Sequence, residues 1–594
     1  MQNAAFDLFN FRSKKNSGIA AFPDLRLRNP HQIFCAEKIE DIVPVLASAQ
    51  ASARAGNHVA GFVSYEASYA FLPEIPMPLT GNLPLAFFAV FRNAESLEPP
   101  DLAPADESGP VRDFQFQYPD KKEYIENVET IREQILHGEV YQVNYTDRVQ
   151  ITSQSDFQNQ FFEIGFRQRC RFGLFASLPF GRIFSFSPEL FFACNGNSIH
   201  VRPMKGTSAR GITPQKDYRL KKALSDSRKD LSENHMIVDL MRNDLGRICT
   251  LGKVQVKLKS RIEGYPTLWQ SVSEIRGELL PALQLSDIFA ALFPCGSVTG
   301  APKISAMQSI SRLEKSARTV YTGALGYLHG ESAIFSVGIR TLFEDNDRKI
   351  VLGSGSGIVW DSAAEKEYDE MKQKTRFLSA QNIPRGVFTT GLFQDGKLKF
   401  EKAHRYRVVQ GCRRFGFTFQ KNLWNSLLAR LYEEQYSGGA RIEIFPDGSL
   451  NFIKRNLQRT KSWQILVSAP GQFPIDFPGF KVFPREDYNA AFEWARQQGC
   501  DDTLLVDSRG RVCETTIASI FIKKDNLFYT PPASQGNLLP GISRARVLRR
   551  FPHKFIESEL TLQDLKNADR IYALNALRGW IAVKLVFLEN TSSE

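Results

Sequence analysis

The chain of 594 residues has little that would place it in a membrane or outside a cell. No apolar run approaches the roughly 18 to 20 residues a membrane span needs. The opening MQNAAFDLFNFRSKK lacks a charged start followed by an apolar stretch and a small-residue cleavage site, so no signal peptide is expected. Its eight cysteines are scattered without a CxxC pair, which suits reduced thiols better than disulfides or zinc. The eight histidines form neither HxH nor HExxH, which argues against a histidine-held metal. The net charge of +11 is diffuse: basic pairs such as Lys221-Lys222 and Arg549-Arg550 occur, but no stripe interleaved with aromatics. A solvated basic surface, or an anionic small substrate, fits that pattern better than nucleic acid. A cytoplasmic protein with no membrane or nucleic-acid partner is expected.

What is present is an ordinary globular composition, 43% hydrophobic and 23% charged, over a length too great for one core. Two domains of α/β (α+β) class are expected, over residues 1–380 and 386–594. Within the first, residues 1–110 read as a short N-terminal subdomain that includes the apolar stretch Val59 to Phe71. A polar, proline-bearing loop follows, from Glu98 to Pro110. Residues 115–375 carry the chemistry. There the spacing predicts helices over Tyr124 to His137 and Ser232 to Leu245, and a strand over Ile183 to Ser187. The break Gln381-Asn382-Ile383-Pro384 ends this domain. A strand over Val387 to Phe393, a turn at Asp395-Gly396 and a second strand open the next.

Three features suggest chemistry. On a helix through SAAEKEYDEMKQK, Glu367 and Glu370 share one face; with Glu233 they supply hard oxygens for magnesium, although a solvated helix face explains the pair as well. Lys205, between Met204 and Gly206, is placed for desolvation and hence for nucleophilic use, or is a surface lysine in a turn. The run Gly353-Ser354-Gly355-Ser356-Gly357, after a strand over Lys349 to Leu352, reads as a glycine turn whose N–H groups can approach an anion.

The strings SFSPELFF, RPMKGT, SENHMIVDLMRNDLGR, FPCGSVTGAPK, YTGALGY, GIRT and GSGIVWDS followed by EKEYDEMKQK resemble, in order, the chorismate-utilising enzymes: anthranilate, aminodeoxychorismate, isochorismate and salicylate synthases. The resemblance implies two facing antiparallel sheets with helices outside. It implies Lys205 as nucleophile at C2 of chorismate, Glu189 as general acid, and Glu233, Glu367 and Glu370 on magnesium. Gly206, Thr207, Tyr321, Arg340, Gly355, Ser356, Gly357 and Lys374 are implied against the substrate. Lysine at 205 is the aminodeoxychorismate-synthase choice. Gln142 stands where hydrating relatives keep a water-activating lysine, so ammonia is the expected nucleophile. Departures are Gln270 for a histidine, Cys295 for a glycine and His235 for a leucine. No cysteine nucleophile elbow is built in, which implies a separate glutamine amidotransferase subunit that supplies ammonia.

Residues 386–594 resemble the fold-type IV pyridoxal-phosphate enzymes in FTTGLFQDGKL, AHRYRV, DDTLLVDSRGRVCETTIASIFI, LLPGISR and LNALRG. The resemblance implies Lys481 as the cofactor-bonding lysine and Glu514 as the partner of the pyridine nitrogen. It implies Arg407, Thr516, Ile517, Ile542 and Ser543 at the phosphate, and Thr389 or Thr390 with Asn575 on the substrate side. The neighbours of Lys481 (Phe480, Val482, Phe483) are apolar where the family has polar residues. The combined expectation is amination of chorismate followed by a 4-amino-4-deoxychorismate lyase step to 4-aminobenzoate for folate. Two alternatives stand beside it: anthranilate synthase component I with an attached aminotransferase, and a synthase with a non-catalytic assembly module.

Overall fold

The computed structural model describes residues 4–11, 20–75, 81–97, 114–153, 156–211, 214–266, 268–379, 384–455, 462–535 and 537–588. The expected loop from Glu98 to Pro110, and Gln381 to Ile383 of the expected break, lie outside the described residues. The chain divides into two compact units. One comprises residues 1–208 and 223–380; the other comprises 381–594 together with 209–222, an excursion that the sequence does not announce. Among the described residues no helix is long and apolar enough to cross a membrane.

The first unit is built on two ten-stranded sheets in which every described pairing is antiparallel. One sheet holds Gln142–Thr152, Ile350–Ile358, Thr341–Asp345, Gly181–Ser187 and Phe172–Leu178; the other holds Met204–Ala209, Leu268–Glu278, Leu190–Asn195, Ser332–Val337 and Ala324–His329. Their inner faces meet: Phe6, Leu174 and Ile183 of the first share a core with Phe62, Phe91 and Leu325 of the second. Each outer face is covered by helices. Lys121–Leu136 and Ala364–Ser379 cover the first, and Ile42–Arg54, Arg228–Gly246 and Leu285–Leu292 the second. The expected facing sheets with outer helices are therefore present. The described part of residues 1–110 contributes strands to both sheets. Ala5–Phe9 pairs with Phe172–Leu178 and His58–Val63 pairs with Ala324–His329, so this segment completes both sheets.

Local sequence explains the helices that carry site residues. Lys121–Leu136 buries Tyr124, Val128 and Ile131 at helical spacing, and its N-cap Asp120 accepts from the Glu123 N–H at 2.9 Å. Arg228–Gly246 buries Ile237, Val238, Met241 and Leu245, and Ser227 caps it by accepting from the Asp230 N–H.

The second unit has a five-stranded sheet around Gly386–Gln394 and Gly438–Ile444, and an eight-stranded mixed sheet. In the mixed sheet Ser462–Val467 runs parallel to both Asp502–Val506 and Gly579–Val586. The expected hairpin at Asp395-Gly396 is present, with Phe393 opposite Leu398.

Candidate active sites

In the first unit, Lys205 lies on Met204–Ala209, one residue before Gly206 at φ +78°, a backbone that favours glycine. Gln270 clamps this segment: its Nε2 donates to the Gly206 carbonyl at 3.0 Å, and its Oε1 accepts from Thr207 Oγ1 at 3.1 Å. The Lys205 amine faces the glycine strand. A Cβ built on Gly357 would stand 3.7 Å from Lys205 Nζ and 2.5 Å from Gln142 Nε2. Burial lowers the lysine pKa, while the Glu233 and Glu189 carboxylates act in the opposite sense. Gln142 is buried, and its Oε1 has no hydrogen-bond partner among the described residues.

Glu189 is 3% exposed, and its Oε1 accepts from Ser297 Oγ at 2.7 Å. Burial pushes this carboxyl up to about 7, against the opposing pull of the Ser297 hydrogen bond and the Lys205 charge. Cys295, the departure from glycine, is buried with its Sγ 3.2 Å from the same Ser297 hydroxyl. Its thiol is pushed up to about 12 by burial, then by Glu189. Ser297 was not singled out in the sequence, although FPCGSVTGAPK contains it; its short reach to Glu189 is a tertiary fact. His235 is exposed on its helix.

The glycine run is a strand and not a turn, which corrects the sequence expectation. Ile350–Ile358 pairs along its whole length with Gln142–Thr152, but with Thr341–Asp345 only as far as Leu342 opposite Leu352. Beyond Leu352 that edge has no strand partner among the described residues. Thr146 and Asn144, opposite Gly355 and Gly357, send their N–H groups to Glu314 Oε1 at 3.0 Å and to the Thr299 carbonyl at 2.7 Å. The alternation of an antiparallel ladder therefore turns the Gly355 and Gly357 N–H groups to the unpaired edge. Lys374 Nζ already uses it, donating to the Gly355 carbonyl at 2.6 Å. Side chains cannot be added here: a Cβ at Gly355 would be 2.1 Å from the Tyr145 carbonyl, and one at Gly353 would be 2.2 Å from the Tyr321 ring. Ser356 is fully buried.

Arg340 has no carboxylate partner among the described residues; Nη1 donates to Gln168 Oε1 at 3.3 Å and the guanidinium lies 6.0 Å from the Phe377 ring centroid. Burial lowers its pKa, a cost that an incoming carboxylate would offset. Tyr321 is buried beneath the Arg148 guanidinium, 5.4 Å from its ring centroid.

The three expected magnesium ligands suit the ion by type and not by present arrangement. Among the described residues no three His, Cys, Asp or Glu side chains are gathered to hold a metal ion. Glu370 is half-exposed and pairs with Lys374 Nζ at 2.8 Å; desolvation raises its pKa, but that ammonium outweighs it and holds the carboxyl low. Burial raises Glu233, and Lys205 opposes the shift. Glu367 is buried with an unpartnered Oε2, an orphaned hard oxygen of the kind a cation satisfies.

In the second unit, a cavity of about 520 Å³ is lined by Lys481, Glu514, Arg407, Thr516, Ile542 and Asn575, among others. Lys481 is less apolar in surroundings than its sequence neighbours suggest. Phe480 and Val482 face the hydrophobic core, while Lys481 turns the other way, its Nζ 5.2 Å from the Phe388 ring centroid. Its pKa is far below the ordinary lysine value through burial, then through Arg485 and Arg407. Glu514 accepts from Tyr488 Oη at 2.8 Å and from the Leu539 N–H at 2.9 Å, and burial pushes its carboxyl up to about 7.

These residues fit pyridoxal phosphate. A buried acid stands ready for a ring nitrogen and a desolvated lysine for the aldehyde carbon. The first turn of Ile542–Arg550, with Ser543 and Arg407, suits a phosphate. Thr516 lines the same cavity, but its hydroxyl and N–H both go to Asp502 Oδ1, at 2.5 and 3.2 Å. Of the two threonines left open, Thr390 lines the cavity; Thr389 is buried with its hydroxyl 2.6 Å from His404 Nδ1. Asn575 ties the loop that follows it by accepting from the Leu577 and Arg578 N–H groups at 3.0 and 2.7 Å.

Both parts of the chain resemble known proteins. Residues 386–586 match the amino-transferase class IV model. The chain is 37% identical over 286 residues to an aminodeoxychorismate synthase component 1 of Escherichia coli, covering 48% of this chain and 63% of the relative. It is 34% identical over 259 residues to an anthranilate synthase component 1 of Aquifex aeolicus, covering 43% and 52%. The chain thus spans about half to two-thirds of the length of these relatives. The crystal structure of anthranilate synthase component I from Streptococcus pneumoniae shares the fold, with a TM-score of 0.52 at 22% identity over 62% of this chain and 95% of that one. With residues 19–380 matching the chorismate binding enzyme model over more than half its length, the chain belongs to the chorismate binding enzyme family.

Proposed function

We propose that the first unit aminates chorismate at C4, giving 4-amino-4-deoxychorismate, and that the second removes pyruvate from that product to leave 4-aminobenzoate for folate synthesis. The observation that carries the reading is the Lys205 amine, turned onto the glycine strand and influenced by Glu189 and Glu233. Burial favours its uncharged, nucleophilic form. Lys205 attacks C2 of the ring as the C4 hydroxyl leaves, and Glu189, with a pKa of about 7, supplies the proton to that oxygen. The attack moves both ring double bonds; ammonia then bonds to C4, both shift back, and Lys205 is expelled from C2. The Gly355 and Gly357 N–H groups and Arg340 receive a carboxylate. Glu233, Glu367 and Glu370 would hold a magnesium ion, which would neutralise charge on the bound acid, once Glu370 exchanges Lys374 for the metal.

For the second unit, pyridoxal phosphate when bound supplies an electron sink. Glu514 would keep the ring nitrogen protonated, and the first turn of Ile542–Arg550 with Arg407 would hold the phosphate. Lys481, whose charged form burial and the nearby guanidiniums disfavour, takes the C4 proton of the substrate; the C3–O bond breaks, pyruvate leaves and the ring becomes aromatic. Relatives named aminodeoxychorismate synthase component 1 at 37–38% identity support the first half, and the class IV match supports the second. A separate glutamine amidotransferase as ammonia source and a cytoplasmic setting belong to the same proposal.

The test is incubation of the full chain with chorismate, an ammonium salt and magnesium, with and without pyridoxal phosphate, and identification of products by mass. 4-Amino-4-deoxychorismate without the cofactor and 4-aminobenzoate with it are expected. Lys205→Ala should lower amination by at least about a hundredfold. Anthranilate as the product would replace the first half of the reading.

A further inference from the structure

The cavity of the second unit is lined by five arginines, Arg407, Arg441, Arg455, Arg485 and Arg578, and by Lys481, but by one acid, Glu514. A bound phosphate accounts for Arg407 and the helix end beside it. Two of the remaining guanidiniums are built around one ring. Arg441, on Gly438–Ile444 opposite Thr390, stacks 3.7 Å from the Phe388 centroid; Arg485 lies 5.8 Å from the same centroid and 3.6 Å from that of Tyr488. Aromatic faces hold a planar guanidinium in place without neutralising it. Arg441 meets Glu443 at 2.7 Å through one terminal nitrogen, yet its buried Nε has no partner. Arg485 donates from Nη1 to the Thr516 carbonyl at 3.3 Å and has no acid partner among the described residues.

We propose that Arg441 and Arg485 are a two-carboxylate seat, which makes the second unit selective for a cyclic amine bearing two carboxylates over an amino acid bearing one. This rests on the lyase half of the proposed function and names the substrate class of that site. Each guanidinium presents a planar fork of N–H groups to a carboxylate, and the two forks share one aromatic wall. The ring carboxylate and the enolpyruvyl carboxylate of 4-amino-4-deoxychorismate are the matching pair. A one-carboxylate amine would leave either the Arg485 guanidinium without an acid or the buried Arg441 Nε without an acceptor, a penalty that discriminates more strongly than a missing apolar contact.

The seat is tested on the full chain loaded with pyridoxal phosphate by calorimetric titration with isophthalate, a cyclic dicarboxylate without an amine, and with benzoate. Any carboxylate site of the first unit is common to every variant, so differences report on the second. Arg441→Gln and Arg485→Gln should each weaken isophthalate about tenfold to hundredfold and benzoate less than about threefold. In turnover, the KM for 4-amino-4-deoxychorismate should rise by a similar factor, with kcat falling less. Arg441→Lys should restore part of the loss, because charge returns without the fork. Isophthalate affinity unchanged in both variants, or an equal loss for the two acids, overturns the seat. If Arg441→Gln does not fold, Arg485→Gln decides alone, with the visible cofactor band as the check on folding. A wild-type chain that makes no 4-aminobenzoate removes the lyase reading, and the isophthalate titration still decides the seat.

Discussion

Ser297 donates its hydroxyl proton to Glu189 Oε1 across 2.7 Å, in a pocket where burial has pushed that carboxyl up to about 7. The bond favours the charged form, so the serine limits how far the acid rises. In Ser297→Ala the Glu189 pKa should move higher. As the general acid works only when protonated, amination falls as pH passes upward through this pKa, and the variant's falling limb should sit at higher pH. A pH profile of kcat with saturating ammonia checks this; an unmoved limb would remove Glu189 from the acid's role.

The same raised pKa has a stability consequence. The folded state binds the Glu189 proton more tightly than the unfolded chain does. Its favourable contribution is therefore complete below the ordinary carboxylate range and is lost as pH climbs through about 7. Glu189→Gln, which keeps shape without charge, should be more stable than the parent at pH 8 by up to about 3 kcal/mol. Near pH 4 the two should melt alike. Urea titrations at the two pH values give the comparison.

Gly355 and Gly357 should respond differently to alanine. At Gly355 the new carbon meets backbone, the Tyr145 carbonyl, and cannot be accommodated without moving the strand; a loss of at least about 1–3 kcal/mol is expected. At Gly357 it meets the Gln142 amide, a side chain able to swing aside, 3.7 Å from Lys205 Nζ. Gly357→Ala should fold and lose amination. Melting temperature beside kcat separates the two; a Gly357→Ala enzyme of normal rate would count against the Lys205 geometry.

Tyr488 supplies one of the two hydrogen bonds that favour the anionic form of Glu514 against its burial. Tyr488→Phe should raise the Glu514 pKa beyond about 7 and weaken pyridoxal phosphate about tenfold or more at neutral pH, the loss growing as pH falls. Equilibrium titration of the visible band measures it. An affinity independent of pH would show that Glu514 does not meet the ring nitrogen.

The family resemblance carried by motif order points to Lys205, Glu189, Lys481 and Glu514, and each of them is buried in the structure, a property the motifs do not state. Helices such as Lys121–Leu136 and Arg228–Gly246 were legible from apolar spacing and caps. Sheet pairing was not. The strand Ile350–Ile358 looked like a turn because five residues of glycine and serine have low strand preference, and only its partner Gln142–Thr152 overrides that. Residues 1–110 looked separate because their partners lie more than a hundred residues on, at Phe172–Leu178 and Ala324–His329. The single ion pair from Glu370 to Lys374 was hidden behind a reading that gave both residues to substrate and metal.

One consequence follows from how Val482 pairs with Val387 and Phe483 with Gly386, since successive side chains of an extended backbone leave on opposite sides. The residues written next to Lys481 are not its neighbours. Substitutions at Phe480 and Val482 should be tolerated or rejected by the hydrophobic interior, whereas the amine responds to its burial, to Arg485 four residues on, and to Arg407 and Glu514 from distant parts of the chain. Competence of a lysine of this kind is better judged by what stands across the cleft than by the letters beside it.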